Sequence, residues 1–334
     1  MNNVNDISYD IKPARKAFSR IGIALSVILI VATVFQVLWG LIPALLWGED
    51  NWWSSSSWGL WLSTFAPIYL IAVPIGLLLL KGIPGEAPQQ QKLSMKQFWV
   101  FLLMAFPLMY GGNIIGTVLS AILFGGSAEN TIVEYAMDNN PLKLVVMVCL
   151  APLIEEYVFR KQIIDRTRKY GEKTAVFLSA LTFGLFHLNL FQFFYAFGLG
   201  LLFAYLYART GRLRYPVLIH STVNFMGTVV APWVLSLVDL EALTQMDPNA
   251  TTEQIVTQYG DMLPGLLVYM LYAMLLMGLA VAGLVLLIIK CRKLVWKEAE
   301  AQLPKGMNMK AVYINIGMIV YILLCLSMIS LAIL

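Results

Sequence analysis

The side chains best suited to chemistry are few, and they lie in unusual places. The 334-residue chain has two histidines, each inside a long apolar stretch: His187 in FLSALTFGLFHLNL and His220 in YPVLIHSTVNF. A third stretch, VMVCLAPLIEEYVFR, carries the acids Glu155 and Glu156. An ionisable side chain at membrane depth costs several kcal/mol and marks a functional site with a nearby partner. The sequence therefore predicts one buried polar cluster.

Two reactions could use this cluster together with Asn224, which follows His220 by four residues. In the first, Glu155, His187 and His220 bind a zinc ion that activates water for attack on a carbonyl. In the second, Glu155 is the general base for a water that His187 positions. His220 and Asn224 then donate hydrogen bonds to the developing oxyanion. Both reactions describe hydrolysis of an amide bond.

Sequence motifs do not decide between these two reactions. The chain contains neither HExxH nor GxSxG, the patterns of common zinc and serine hydrolases. The possible metal ligands would come from three separate helices, so their spacing leaves both reactions open.

Helical spacing decides which of these side chains share a face. Glu156 and Arg160 are four residues apart, so they can pair on one face of their helix. Glu155 points about 100° away from Glu156, which turns it towards the interior of the bundle. His220 and Asn224 are likewise four residues apart and share a face.

The elements that carry these residues are predicted to be transmembrane helices. Hydrophobic residues make up 59% of the chain, charged residues only 13%, and the mean hydropathy is +0.75, whereas a soluble domain carries about 25% charged residues. Apolar runs of about 20 residues, long enough to cross a bilayer, recur along the chain. The fold class is therefore predicted to be all-α, a polytopic transmembrane bundle of about nine spans, near 21–47, 59–80, 98–124, 142–165, 174–190, 191–209, 215–236, 264–289 and 311–334.

Charge in the connecting segments orients this bundle. Alternate connections are basic, whereas those near 49–50, 129–138 and 239–261 are acidic. Basic connections stay on the cytoplasmic side, which predicts a cytoplasmic N-terminus and an external C-terminus. The basic residues behind the net charge of +4 are topology signals that also attract the anionic lipids of the bilayer, and the net charge does not indicate a nucleic-acid partner.

Three short motifs together resemble one protein family. EEYVFR (155–160) matches EExxxR, FGLFH (183–187) matches FxxxH, and HSTVN (220–224) matches HxxxN. In this order, inside apolar helices, they resemble the CPBP family of intramembrane endopeptidases, which includes the type II CAAX prenyl endopeptidases and the bacterial Abi or bacteriocin-processing proteins. The resemblance covers about residues 100–235.

The resemblance implies a role for each matching residue. Glu155 is the acid that activates water, and His187 helps to hold that water. His220 and Asn224 form the oxyanion site.

The resemblance also bears on supporting residues and on a cofactor. Glu156 and Arg160 complete the first motif in supporting roles. A metal-free mechanism, which needs no cofactor, is favoured. Zinc bound by Glu155, His187 and His220 is the alternative.

The resemblance further implies an organisation and a setting. Residues 1–97 are expected to form a tail and two accessory helices, 98–236 the catalytic core, and 237–334 an outer loop and two more accessory helices. The expected partner is a membrane-associated peptide or protein substrate, of CAAX, bacteriocin, pheromone or leader type, in a bacterial plasma membrane. The alternative is a non-catalytic scaffold or bacteriocin-immunity protein that binds an envelope-protein partner, and a transporter is a third hypothesis.

The depths of the two histidines predict how the site opens. His187 lies about 20 Å along its helix from the preceding basic loop, whereas His220 lies less than about 10 Å beyond Arg214. They can meet if the loop 166–173 protrudes or if the backbone after Pro216 begins inside the membrane. We therefore expect a water-filled cavity that opens towards the cytoplasm, since irregular backbone is tolerated beside water.

Overall fold

The described part of the chain is helical and contains no β-strand. The computed structural model describes residues 10–124, 130–239, 242, 251, 253, 257 and 259–331. The start of the predicted N-terminal tail, the connection at 125–129 and most of the predicted outer loop lie outside these residues. The main helices are α1 (Lys12–Trp47), α2 (Ser57–Leu80), α3 (Met95–Phe124), α4 (Thr131–Met137), α5 (144–170), α6 (Glu172–Phe186), α7 (Leu190–Thr210), α8 (Arg214–Leu235), α9 (Leu263–Cys291) and α10 (Ile316–Leu331). Short helical turns also occur at Trp52–Ser55, Gly260–Met262 and Met309–Tyr313.

Six helices among the described residues are long and apolar enough to cross a membrane. They are α1, α2, α3, α7, α8 and α9 with the turn before it. α10 is apolar but has only 16 residues. The predicted all-α transmembrane class is confirmed, while the count of nine spans and the orientation of the termini stay predictions.

The helix that leads to His187 is shorter than expected. α6 has 15 residues and ends at Phe186, so it is about 22 Å long. This is less than the ~30 Å of a hydrocarbon core. α6 alone is therefore too short to span the hydrocarbon core, and His187 follows directly at its end.

α7 is held close to α3 by small residues. A Cβ atom at Gly112 would collide with the backbone of Tyr195, and one at Gly116 would collide with the carbonyl of Phe191. Small residues four apart allow membrane helices to approach closely. The contact fixes the first turns of α7, directly after His187, against α3.

The terminal helices pack on the helix that leads to His187. The backbone N–H of Gly317 in α10 donates to Ser19 Oγ in α1 at 3.0 Å. The Tyr321 hydroxyl of α10 donates to the carbonyl of Thr182 in α6 at 2.7 Å. α1, α5, α6 and α10 also contribute to one buried apolar cluster. The three-part division of the chain stays a prediction, but its outer parts contact its middle part directly.

Asp138 links the segment before α5 to the start of α2 through hydrogen bonds. Its carboxylate accepts hydrogen bonds from the Ser57 hydroxyl, from Trp61 Nε1 at 2.7 Å and from the Asn140 backbone N–H at 3.0 Å. Burial alone would raise the pKa of Asp138, but these three donors and the charge of Lys143 outweigh it and lower the pKa below its ordinary value. The ionised form therefore stabilises the fold.

Asp138→Asn is expected to destabilise the protein by about 1–3 kcal/mol at neutral pH, because an amide cannot accept all these hydrogen bonds. A lowered pKa in the folded state gives stability that is present above the unfolded value and lost as the pH falls through the folded value. Thermal unfolding of wild type and variant should therefore converge below about pH 4. Glu134→Gln, an exposed acid on α4, is the control, and a pH-independent difference would contradict the assignment.

Candidate active site

The four predicted site residues line one cavity of about 490 Å³. Glu155 comes from α5, His187 from the end of α6, and His220 and Asn224 from α8. α2, α3, α4 and α7 complete its walls. The sequence therefore predicted correctly which side chains meet, although their roles are untested.

A fully buried ion pair, Glu156 with Arg160, lies next to this cavity without lining it. Arg160 donates through Nε to Glu156 Oε2 at 2.8 Å and through Nη2 to Oε1 at 3.1 Å, and both side chains are 0% exposed. A bidentate arginine–carboxylate pair fixes both groups geometrically. The pairing expected from the four-residue spacing is thus present.

Arg160 is also held from the side away from Glu156. Its Nη1 donates to Ser179 Oγ at 3.2 Å, and that hydroxyl donates to the Phe159 carbonyl at 2.8 Å. The guanidinium carbon lies 4.4 Å from the centre of the Phe183 ring, where a cation over an aromatic face is stabilised. Nothing in the sequence motif EExxxR indicates Ser179, which reaches the pair from α6.

His220 lies between the two carboxylates. Its Nδ1 is 3.1 Å from Glu156 Oε1, and its Nε2 is 3.8 Å from Glu155 Oε2. The ring stacks on Phe203 with 5.4 Å between ring centres. Because the Arg160-bound carboxylate of Glu156 is an acceptor, it holds the proton on Nδ1 and turns Nε2 towards Glu155.

Glu155 and Glu156 face different environments although they are neighbours. The side chain of Glu155 is 18% exposed and lines the cavity, whereas that of Glu156 is 0% exposed. This is the division expected from the rotation of about 100° per residue. Glu155 directly precedes a π-helical turn, Glu156–Gln162, and such wide turns are frequent at functional sites.

His187 stands where the backbone reverses between α6 and α7. Its Nδ1 is 2.9 Å from the Phe183 carbonyl, which can only accept, so Nδ1 carries the proton and Nε2 is an acceptor. Leu188 has φ 52, a left-handed conformation that is uncommon outside glycine. Asn189 then caps α7 by accepting from the backbone N–H of Phe191 at 2.8 Å, so the turn is tightly defined.

Asn224 is anchored to the opposite helix. Its Nδ2 donates to the Met147 carbonyl at 2.8 Å, in the π-helical turn Leu144–Leu150 of α5. An amide group has two N–H donors, so Met147 uses one and fixes the direction of the other.

The donor set does not fit a three-ligand zinc site. Across the described ranges no three His, Cys, Asp or Glu side chains are grouped closely enough to hold one ion. Glu155 and His220 approach each other, but His187, whose Nε2 remains available as an acceptor, is not grouped with them closely enough to complete a three-ligand set. Binding of zinc by Glu155, His187 and His220 would require these side chains to rearrange.

The cavity extends in the direction opposite to the one expected. Its lining includes Ile132, Val133 and Ala136 of α4, and Gly227 and Ala231 near the end of α8. It includes no residue of the basic loop between α7 and α8. The expected opening on the basic side followed from the depths of the two histidines, whereas the lining of the cavity extends along α4 and the end of α8, beside the acidic connections.

Several polar groups in the cavity wall were not identified from the sequence. Asn113 of α3 and Gln192 of α7 line it, together with the tyrosines Tyr69, Tyr110 and Tyr195. Asn113 and Gln192 interrupt apolar runs, and a polar side chain in such a run is a signal that could have been used.

Comparisons with known proteins find one family and two relatives that match a central part of the chain. Residues 138–226 match the family model "Type II CAAX prenyl endopeptidase Rce1-like". The "Putative membrane peptidase YdiL" of Bacillus subtilis (strain 168) is 28% identical over 165 residues, which cover 47% of this chain and 66% of that protein, just under two thirds. The "Membrane-embedded CAAX protease MroQ" of Staphylococcus aureus (strain USA300) is 29% identical over 196 residues, which cover 55% of this chain and 77% of that protein.

No solved structure gives a significant match. The segment matched by the family model contains all four predicted site residues and all three motifs, and it lies within residues 100–235, which the resemblance covers. The resemblance predicted from those motifs is therefore confirmed: residues 138–226 of this multi-pass membrane chain are similar to the Rce1-like family.

Proposed function

We propose that the chain is an intramembrane endopeptidase that hydrolyses peptide bonds of membrane-associated peptides or proteins. The observation that carries the proposal is the position of Glu155. Its carboxylate faces a cavity inside the bundle, 3.8 Å from His220 Nε2. The family match and the two relatives named as membrane peptidases support the same reaction class.

In the proposed reaction Glu155 is the general base. A water in the cavity gives a proton to the Glu155 carboxylate while its oxygen bonds to the substrate carbonyl carbon. His187 Nε2 is the acceptor that orients this water. The C–N bond then breaks, and the proton on Glu155 passes to the leaving nitrogen, so Glu155 ends the cycle ionised.

The oxyanion of the tetrahedral intermediate is stabilised from α8. Asn224 can donate its second amide N–H, because Met147 holds the first. His220 can donate from Nε2 when both ring nitrogens carry a proton, since Glu156 occupies Nδ1. Glu156 and Arg160 are positioning residues, because they act through His220.

The cavity also suggests the substrate class. Aromatic and aliphatic side chains dominate its wall, with the amides of Asn113 and Gln192 available for backbone hydrogen bonds. An extended peptide with apolar side chains fits this wall. CAAX-type, leader, pheromone and bacteriocin peptides are all substrates of this kind.

The test is cleavage of a library of membrane-tethered peptides by the purified full-length chain in nanodiscs, read by mass spectrometry. Wild type should cut, and His220→Ala should lose at least about 100-fold in rate. Thr222→Ala is the matched control, because Thr222 lies on the same helix, does not line the cavity, and donates its hydroxyl to the Leu218 carbonyl of its own helix. Cleavage should also survive a metal chelator.

Each outcome is informative. Loss of cleavage with the chelator would replace the metal-free mechanism by the zinc alternative. Equal losses in His220→Ala and Thr222→Ala would remove the assigned role of His220. A folded wild type that cuts no peptide and still captures an envelope protein would contradict the peptidase proposal and favour the function of a non-catalytic scaffold.

A further inference from the structure

A second cavity, of about 620 Å³, lies outside the candidate active site. It is a groove between α3, α7 and the last turns of α9. α9 meets α3 closely at Gly283, where a Cβ would collide with the Leu103 carbonyl. Beyond this contact, from Leu287 to Leu294, the three elements enclose the groove.

The walls of the groove are apolar along its length. On α3 the lining runs from Lys96 to Leu108, about 18 Å by the rise per residue. The facing wall of α7 includes Gly198, whose missing side chain leaves room beside Leu108. Trp296 packs against Tyr205, with 5.5 Å between ring centres. The shape suits a linear hydrocarbon chain.

One end of this groove is cationic. Lys96, Lys290 and Lys293 line it, and all three side chains are exposed. No residue in the described part of the chain forms an ion pair with any of them. They lie at the end of the bundle where the basic connections cluster.

The geometry points to a binding site for one anionic phospholipid, with its phosphate on Lys96, Lys290 and Lys293 and an acyl chain in the groove. Basic pockets between transmembrane helices on the cytoplasmic side bind the headgroups of anionic lipids. The complementary charge and the attached apolar groove favour such a lipid over a protein segment. The inference goes beyond the proposed peptidase activity and does not depend on it.

The lipid site adjoins the candidate active site through shared walls. On α7, Gly198 lines the groove while Leu199 lines the catalytic cavity. On α3, Leu108 lines the groove while Met109 lines the catalytic cavity. A bound lipid therefore supports, from outside, the two helices that form one side of the active site.

The test uses the full-length chain in nanodiscs of phosphatidylcholine doped with phosphatidylglycerol. A photoreactive benzoylphenylalanine at Phe101, in the apolar wall, reports the occupant by mass spectrometry of the adduct. Phosphatidylglycerol adducts should exceed the share of that lipid in the disc. Lys96→Gln, Lys290→Gln and Lys293→Gln should each lower this enrichment by about fivefold, the effect of one basic residue at a lipid surface.

The control removes three positive charges elsewhere, more than any single variant in the groove. Lys12→Gln, Lys16→Gln and Lys81→Gln change exposed lysines that do not line the groove, and the enrichment should persist in this triple variant. An equal loss in the control would mean that only bulk charge attracts the lipid. Adducts without lipid preference, or adducts to a second copy of the chain, would also overturn the site.

Discussion

Replacing Glu155 by glutamine is expected to lower the rate of peptide cleavage by about 10²–10⁴-fold, the contribution typical of a general base. Glutamine has nearly the same shape but cannot accept the proton of the attacking water. The side chain lines the cavity, and the 3.8 Å between its Oε2 and His220 Nε2 is too long for a hydrogen bond that would fix the fold. The variant should therefore fold normally, bind substrate with a similar KM and lose kcat.

The measurement is kcat and KM on a peptide that wild type cleaves, together with thermal unfolding of each variant. Tyr157→Phe is the control, because Tyr157 is two residues along the same helix and 38% exposed, away from the cavity. It should keep the wild-type kcat. A Glu155→Gln protein that retains a tenth or more of the wild-type kcat would remove Glu155 from the reaction.

The parts of the site that follow from helix geometry could be predicted from the sequence. A rotation of about 100° per residue separates Glu155 from Glu156, and a spacing of four pairs Glu156 with Arg160. Membrane burial adds that polar side chains must find one another, which brings His187 and His220 to the same cavity. These arguments use only local spacing and the cost of burial.

The parts that depend on how helices align could not be predicted. The contact between His220 Nδ1 and Glu156 Oε1 depends on the relative height of α5 and α8, which no local pattern encodes. The end of α6 was expected at residue 190 and lies at Phe186, because the apolar run continues past His187 while the backbone turns at Leu188. The expected opening at the basic end also lacked α4, whose side chains line the cavity beside the acidic connection.

The packing of the terminal helices could not be predicted from the sequence either. Tyr321 donates to the Thr182 carbonyl across more than a hundred residues of sequence. Apolar runs of similar composition predict that helices exist, but they do not predict which helices become neighbours. Only the structure therefore shows which helices pack together into one unit.

Replacing Arg160 by methionine is expected to destabilise the protein by about 3–5 kcal/mol, because it leaves the carboxylate of Glu156 buried without its partner. Both side chains are 0% exposed, so water cannot replace the guanidinium. Unfolding by denaturant titration in bicelles measures this loss. Lys161→Met, the exposed neighbour of Arg160, is the control, since its bond to Asp165 is partly exposed and such pairs contribute about 0–1 kcal/mol.

A double variant separates stability from positioning. Replacing a whole buried pair by apolar residues is often neutral for stability, so Glu156→Leu with Arg160→Met should recover most of the free energy of unfolding. It should not recover cleavage, because His220 loses the carboxylate that holds its Nδ1 and its Nε2 is no longer directed at Glu155. A stable and fully active double variant would show that the pair only fills space, whereas a stable and inactive one identifies Glu156 and Arg160 as the groups that orient His220.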